Sequence, residues 1–153
     1  MSESWNPTIE DITNGFATLA DRVADSKAPV LERYVHRTLR DLMAHLEQRI
    51  PGLESPPDAE AARAMVSAAH VALERGRERE GLSRALRALS FAPHEPNAYH
   101  LAASACFELG SVEVAVRLLY HALWIHPGHR AARNDLNALL AFLSDPEDDE
   151  RAA

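Results

Sequence analysis

The sequence predicts an all-α protein in which a helical hairpin is followed by a short α-solenoid, and three observations support this prediction. Apolar residues recur every three or four positions along most of the chain, which is the spacing of an amphipathic helix. Residues 62–129 contain two copies of a 34-residue pattern, which is the length of one helix–turn–helix unit. The chain has 153 residues and a single cysteine, so we expect one domain without an internal disulfide.

Residues 1–50 are predicted to form the helical hairpin. Asn6 and Pro7 are expected to begin its first helix, residues 8–24, because asparagine caps helices well and proline fits the first helical position. One apolar stripe follows this helix: Ile9, Ile12, Phe16, Leu19 and Val23. The second helix, residues 29–50, has a wider apolar face, which suggests more than one neighbour. Its members are Val30, Leu31, Tyr34, Val35, Leu39, Leu42, Leu46 and Ile50.

Two segments are predicted to lie outside regular helices. Residues 51–58 contain three prolines, which cannot continue a helix, so this stretch is expected to be a stiff linker. Residues 144–153 hold five acids and one arginine with nothing large to bury, and they are expected to form a disordered acidic tail.

Residues 59–143 are predicted to form the solenoid, with repeats at 62–95 and 96–129 and a closing helix at 130–143. Eight identities recur at an offset of 34 residues. These pairs are Ala64/Ala98, Ala68/Ala102, Ala69/Ala103, Glu74/Glu108, Gly76/Gly110, Ala88/Ala122, Leu89/Leu123 and Pro93/Pro127. The glycines are expected to end the first helix of each unit in a left-handed conformation, and the prolines to end the second helix.

The repeated segments resemble tetratricopeptide repeats. The matching stretches are MVSAAHVALERG and GLSRALRALSFAP in the first unit, then YHLAASACFELG and AVRLLYHALWIHP in the second. The first unit departs from the family at Met65, Ala72 and Gly81, where an aromatic residue, tyrosine and alanine are favoured, and the second has Cys106 at the tyrosine place. The resemblance implies a right-handed solenoid with a concave groove lined by the first helix of each unit. Carried onto this sequence, the lining is Arg63, Val66, His70, Leu73, Glu74, Asn97, His100, Ser104, Phe107, Glu108, Asn134, Ala138 and Ala141.

This resemblance implies a protein-binding module, such as an adaptor, a scaffold or an assembly or secretion chaperone. A helical or extended segment of a partner is expected to dock on Val66, Leu73 and Phe107, with His100 and Asn97 bonding to it. Some family members grip chaperone carboxylates with Lys, Asn and Arg. The corresponding residues here lack Lys and Arg, which argues against that ligand: Val66, His70, Leu101, Ala131 and Asp135.

The role of residues 8–50 is open at this level. Two repeats are few for a stable solenoid, so the hairpin is expected to cover the exposed start of the first repeat. The alternatives are that it fills the groove, or that it pairs with a second chain and makes the protein a structural subunit that forms homo-oligomers.

Composition and motifs argue against several other functions. A formal net charge of −7 argues against general nucleic-acid binding, although an arginine-rich segment at residues 75–87 keeps a nucleic-acid accessory role as a lesser alternative. No phosphate-binding glycine loop or nucleophile elbow occurs, and the eight histidines lack zinc-site spacing. No catalytic residue, metal ligand, cofactor or small-molecule substrate is therefore predicted. Neither a signal peptide nor a membrane-spanning apolar run is apparent, so a cytoplasmic location is expected.

Overall fold

The computed structural model describes residues 7–49 and 58–144, and it contains no β-strand within these ranges. The described residues form seven helices: α1 (Ile9–Asp25), α2 (Arg33–Leu46), α3 (Ala59–Glu74), α4 (Glu78–Phe91), α5 (Pro96–Glu108), α6 (Val112–Ile125) and α7 (Arg130–Ser144). The prediction of an all-α fold is confirmed. Almost all of the predicted linker and tail, together with Asn6 and Ile50, lies outside the described residues. In the part of the chain that is described, no helix is both long and apolar enough to cross a membrane.

The first helix begins at a capping box. The Thr8 hydroxyl oxygen accepts a hydrogen bond from the Asp11 amide (3.1 Å), and the Asp11 carboxylate accepts one from the Thr8 amide (2.9 Å). These two bonds satisfy donors that a helix start otherwise leaves exposed. The predicted start at Asn6 and Pro7 is therefore wrong, because Thr8 is the cap and Pro7 precedes it.

The second helix is shorter than predicted, because it begins at Arg33 rather than at residue 29 and ends at Leu46 rather than at residue 50. Val30 precedes the helix and remains 59% exposed, so it does not widen the apolar face as expected. Tyr34 is on the helix but also exposed, and the Arg22 guanidinium lies 4.3 Å from the centre of its ring. Since Arg22 also contacts Glu32 (3.3 Å), polar contacts with α1 hold the start of this helix.

Both helix–turn–helix units turn at a glycine, as the sequence predicts. Gly76 has a φ of 72° and Gly110 a φ of 85°, a region that side chains with a Cβ rarely adopt. After Gly110 the Ser111 amide donates to the Cys106 carbonyl (2.8 Å), and an equivalent bond closes the first unit. This geometry satisfies carbonyls at the end of α5 and reverses the chain into α6.

Replacing Gly110 by alanine should lower the free energy of unfolding by about 1–2 kcal/mol, because alanine is strained in the left-handed region. Thermal or urea unfolding followed by circular dichroism measures this loss. Gly128→Ala is the matched control, since Gly128 lacks a left-handed φ and a Cβ there meets only ordinary contacts. A loss equal in both variants would contradict the role of Gly110 in the turn.

The hairpin packs on the second helices of the two units. Helix α1 lies against α4, and α2 contacts α6. The apolar stripe of α1 is almost completely buried there, and the Ser83 hydroxyl of α4 donates to the Ala20 carbonyl of α1 (2.7 Å). The hairpin therefore covers α4, the second helix of the first repeat, rather than the start of that repeat at α3 as expected. On α3, Val71 remains 41% exposed.

Candidate functional site

A cleft of about 470 Å³ lies among the first helices of the two units and the closing helix. Its lining comes from α3 to α7 and includes no residue of α1 or α2 among the described residues. The lining residues are Leu73, Glu78, Ala103, Ser104, Phe107, Glu108, Leu119, Asp135, Ala138, Leu139 and Phe142. The hairpin therefore leaves this cleft open.

The floor and walls of the cleft are apolar. Ala103 and Leu119 are buried and form its floor, because a small residue on α5 leaves a depression over α6. Phe107 of α5 is 39% exposed and Phe142 of α7 is 54% exposed. Leu73 completes the wall on α3. Large apolar side chains that stay in contact with water around a depression are typical of a binding surface.

A glycine on α4 leaves room for the Leu73 side chain. An added Cβ on Gly81 would lie 2.6 Å from Leu73 Cδ2 and 2.7 Å from Leu73 Cγ, closer than carbon atoms can approach. Glycine is therefore needed for α4 to approach the Leu73 side chain so closely. Gly81 stands where tetratricopeptide repeats favour alanine, and the close approach of Leu73 explains this difference.

The rim of the cleft is acidic. Glu78 at the start of α4, Glu108 at the end of α5 and Asp135 on α7 each contribute a carboxyl group to the lining, and Ser104 adds a hydroxyl. Within residues 7–49 and 58–144, no lysine, arginine or histidine belongs to this lining. The site therefore combines an apolar interior with negative charge at its edge.

The structure brings together only some of the residues that the resemblance placed in the groove. Leu73, Ser104, Phe107, Glu108 and Ala138 line the cleft. Those outside its lining are Arg63, Val66, His70, Glu74, Asn97, His100, Asn134 and Ala141. Sequence reasoning missed the contribution of α4 and α6, and it missed Leu139 and Phe142, although their apolar side chains follow Asp135 at helical spacing.

Two of the expected partner-binding residues instead bond within the chain. His100 Nε2 lies 2.7 Å from Asp135 Oδ2, and Asn97 Oδ1 lies 2.7 Å from His129 Nε2. His129 Nδ1 accepts from the Ala132 amide (3.1 Å), so its proton is on Nε2, which donates to Asn97. Burial is the main cause that lowers the pKa of His129, and the nearby His100 and His126 lower it further. These bonds hold α7 against α5 next to the cleft.

His70 also differs from expectation. It was expected to line the groove, but His70 Nε2 lies 2.7 Å from Glu74 Oε1 on its own helix. No group of three or more residues suited to metal binding occurs within the described ranges. Burial raises the pKa of Cys106 to about 12, so this residue is a packed thiol.

A partly buried polar cluster joins the hairpin to α6, and it was not predicted from the sequence. Glu47 Oε2 accepts from Arg117 (2.8 Å), while Glu47 Oε1 lies 3.0 Å from His121 Nδ1. His121 is fully buried, with its ring centre 4.4 Å from that of Tyr99. The available signal was the place of His121 between Leu118 and Ala122 on the buried face of α6.

The pKa values in this cluster shift in ways that keep the histidine neutral. Burial lowers the pKa of His121 to about 4, although Glu47 acts in the opposite direction. Burial alone would raise the pKa of Glu47, but its hydrogen bonds to Arg117 and His121 lower it below the ordinary value. Since an ionised carboxylate only accepts hydrogen bonds, the neutral His121 carries its proton on Nδ1. The cluster is therefore an ion pair of Glu47 and Arg117 joined by a neutral imidazole.

Comparison with known proteins adds no family assignment. No protein-family model matches the chain, and a search of curated proteins finds no match. Any function assigned to the protein consequently rests on the helical repeat architecture and on the cleft that its first helices and α7 form.

Proposed function

We propose that this protein is a non-enzymatic module of the tetratricopeptide-repeat type that binds a segment of a partner protein in the cleft. The observation that carries the proposal is an open, largely apolar cleft of about 470 Å³ on the side away from the hairpin. The cellular role that fits such a module is that of an adaptor, a scaffold or an assembly chaperone in the cytoplasm.

The cleft offers binding energy through its exposed aromatic residues. Phe107 and Phe142 keep much of their surface in water. Covering apolar surface gains about 25 cal/mol for each Å² removed from water. Aromatic side chains in a central pocket are also common anchors of protein interfaces.

The cleft is also rigid, which favours binding. Its residues lie on helices whose backbone groups are already hydrogen-bonded, and the His100–Asp135 and Asn97–His129 bonds fix α7 relative to α5. The cleft then loses little conformational entropy when a partner docks, so the entropic cost that opposes binding is smaller.

The alternatives from the sequence have less support. The apolar stripe of α1 is buried against α4 within one chain, so it is not available for contact with a second copy of the chain.

In the arginine-rich segment, Arg79 donates to the Ala28 carbonyl and Arg87 pairs with Asp21. These contacts give the arginines a role in holding the hairpin, which weakens the case for nucleic-acid binding.

Site-directed photo-crosslinking in cells of the source organism tests the proposal. A photoreactive amino acid at position 134 lies one helical turn before Ala138, at the edge of the cleft and outside its lining. We expect it to crosslink a partner. The same amino acid at position 41, exposed on α2, should not capture that partner.

Two matched variants locate the contact. Phe107→Ser should reduce crosslinking from position 134 by about tenfold or more, as expected for loss of an interface anchor. Tyr120→Ser is the control, because Tyr120 is also an exposed aromatic residue (49%) but lies outside the cleft. Equal capture by both folded variants would contradict the proposed site.

A further inference from the structure

We infer that the partner segment is a basic amphipathic helix of another protein, with apolar residues on one face and Lys or Arg beside them. This inference rests on the proposed function and adds the chemistry of the partner. It follows from the charge around the cleft and from the kind of backbone that the cleft is able to accept.

The carboxyl groups in the cleft lining give it negative charge. Glu78, Glu108 and Asp135 belong to this lining, which includes no Lys, Arg or His among the described residues, and Asp135 is paired with His100 just outside it (2.7 Å). Their carboxyl groups come from three different helices, so they border the apolar interior on several sides. A ligand with Lys or Arg beside its apolar face places opposite charges at this rim, whereas an acidic ligand meets repulsion.

The segment that follows α7 in the sequence is acidic. Helix α7 ends at Ser144, two residues after Phe142 of the cleft wall. Residues 145–153 contain five acids and one arginine. Because this segment has the same sign of charge as the rim and no large apolar residue, it is a poor occupant of the cleft.

Four arginines at the start of α4 and along it have partners away from the cleft lining. Arg79 and Arg87 contact the hairpin, while Arg77 and Arg84 lie 3.6 Å and 3.5 Å from Glu80. These four arginines therefore have partners outside the cleft lining, whereas among its carboxyl groups Asp135 is paired with His100.

The backbone of the cleft favours a helical ligand. Its lining residues lie on helices, whose amide and carbonyl groups bond within the helix, so no free strand edge is offered to an extended peptide. An amphipathic helix satisfies its own backbone bonds while it buries one apolar face in a groove.

Binding of three designed peptides, followed by fluorescence anisotropy at about 0.15 M salt, tests the inference. Each is about 18 residues long, which is enough to form a helix on binding. The first has leucines at helical spacing and lysines elsewhere. The second replaces every lysine by glutamate, and the third has the composition of the first in an order without an apolar face. We expect the first peptide to bind at least about tenfold more tightly than the other two.

Two double variants of the full chain locate the charge effect. Glu78→Lys with Glu108→Lys should weaken binding of the basic peptide about tenfold. Asp25→Lys with Asp41→Lys makes the same change in net charge at exposed sites on the hairpin, and it should change binding by less than about twofold. Circular dichroism checks that each variant folds.

Each remaining outcome separates the inference from the proposed function. If basic and acidic peptides bind equally and Phe107→Ser weakens both, the cleft binds partner helices and the inferred charge is wrong. If the scrambled peptide binds as tightly as the first, or if the two double variants lose equal affinity, binding follows net charge and the inference is overturned. If no peptide binds, the inferred partner chemistry is wrong, while crosslinking from position 134 still tests the function.

Discussion

Replacing Phe16 by alanine should lower the free energy of unfolding by about 3–5 kcal/mol, the usual cost of removing a buried aromatic side chain. Phe16 is fully buried in α1, at the contact between the hairpin and the repeats. Its ring meets the Tyr99 ring edge to face, with centres 6.4 Å apart. The loss therefore reports how strongly the hairpin stabilises the two repeat units.

Urea unfolding followed by circular dichroism measures this effect. Asn14→Ala is the control, because Asn14 is an exposed residue on the same helix and its replacement should change stability by less than about 0.5 kcal/mol. If Phe16→Ala costs less than about 1 kcal/mol, the packing of α1 on α4 contributes little to folding and the described arrangement would be contradicted.

Acidification should destabilise the protein between pH 6.5 and about pH 4 through His121. Its pKa falls from the ordinary 6.5 to about 4 in the folded chain, chiefly because the ring is buried. No hydrogen-bond partner for His121 Nε2 occurs among the described residues, so a proton there would be buried without an acceptor. In this pH range the unfolded chain binds more protons than the folded one, and acid therefore favours unfolding.

The loss of stability on acidification follows from the change in the pKa of His121 between the unfolded and the folded chain. Lowering the pKa from 6.5 to about 4 corresponds to about 3 kcal/mol of stability, fully present above pH 6.5 and lost as the pH falls towards 4. Glu47, whose pKa is lowered, acts in the same direction at still lower pH. Arg117 stays charged throughout and does not contribute to the pH dependence.

Measuring the free energy of unfolding at several pH values isolates the contribution of His121. His121→Asn keeps a donor near the position of Nδ1 but cannot titrate. The free energy of unfolding of this variant should therefore change much less between pH 6.5 and 4. His70→Asn removes an exposed histidine and should keep the pH dependence of the wild type. If the free energy of unfolding changes equally with pH in the wild type and both variants, His121 is not the buried neutral group described.

Local features of this protein could be predicted from the sequence because they depend on neighbouring residues. The helical spacing of apolar residues predicts the helices, and a 34-residue offset predicts the turns at Gly76 and Gly110. The predicted helix boundaries were less accurate. Helix α1 begins after Thr8 rather than at Asn6 and Pro7, because Thr8 and Asp11 form a capping box. The resemblance to tetratricopeptide repeats also placed Leu73 and Phe107 in the expected lining, and both line the cleft.

Only the tertiary structure decided which surface stays open. An amphipathic stripe shows that a helix is buried on one side, but it does not identify the neighbour, and here α1 lies on α4 and leaves the cleft uncovered. Glu47 is 70 residues from Arg117 and 74 from His121, so no local pattern links them. The acidic rim likewise depends on α4, α5 and α7 meeting in space. Such contacts arise from packing between distant segments, which residue spacing along one sequence does not specify.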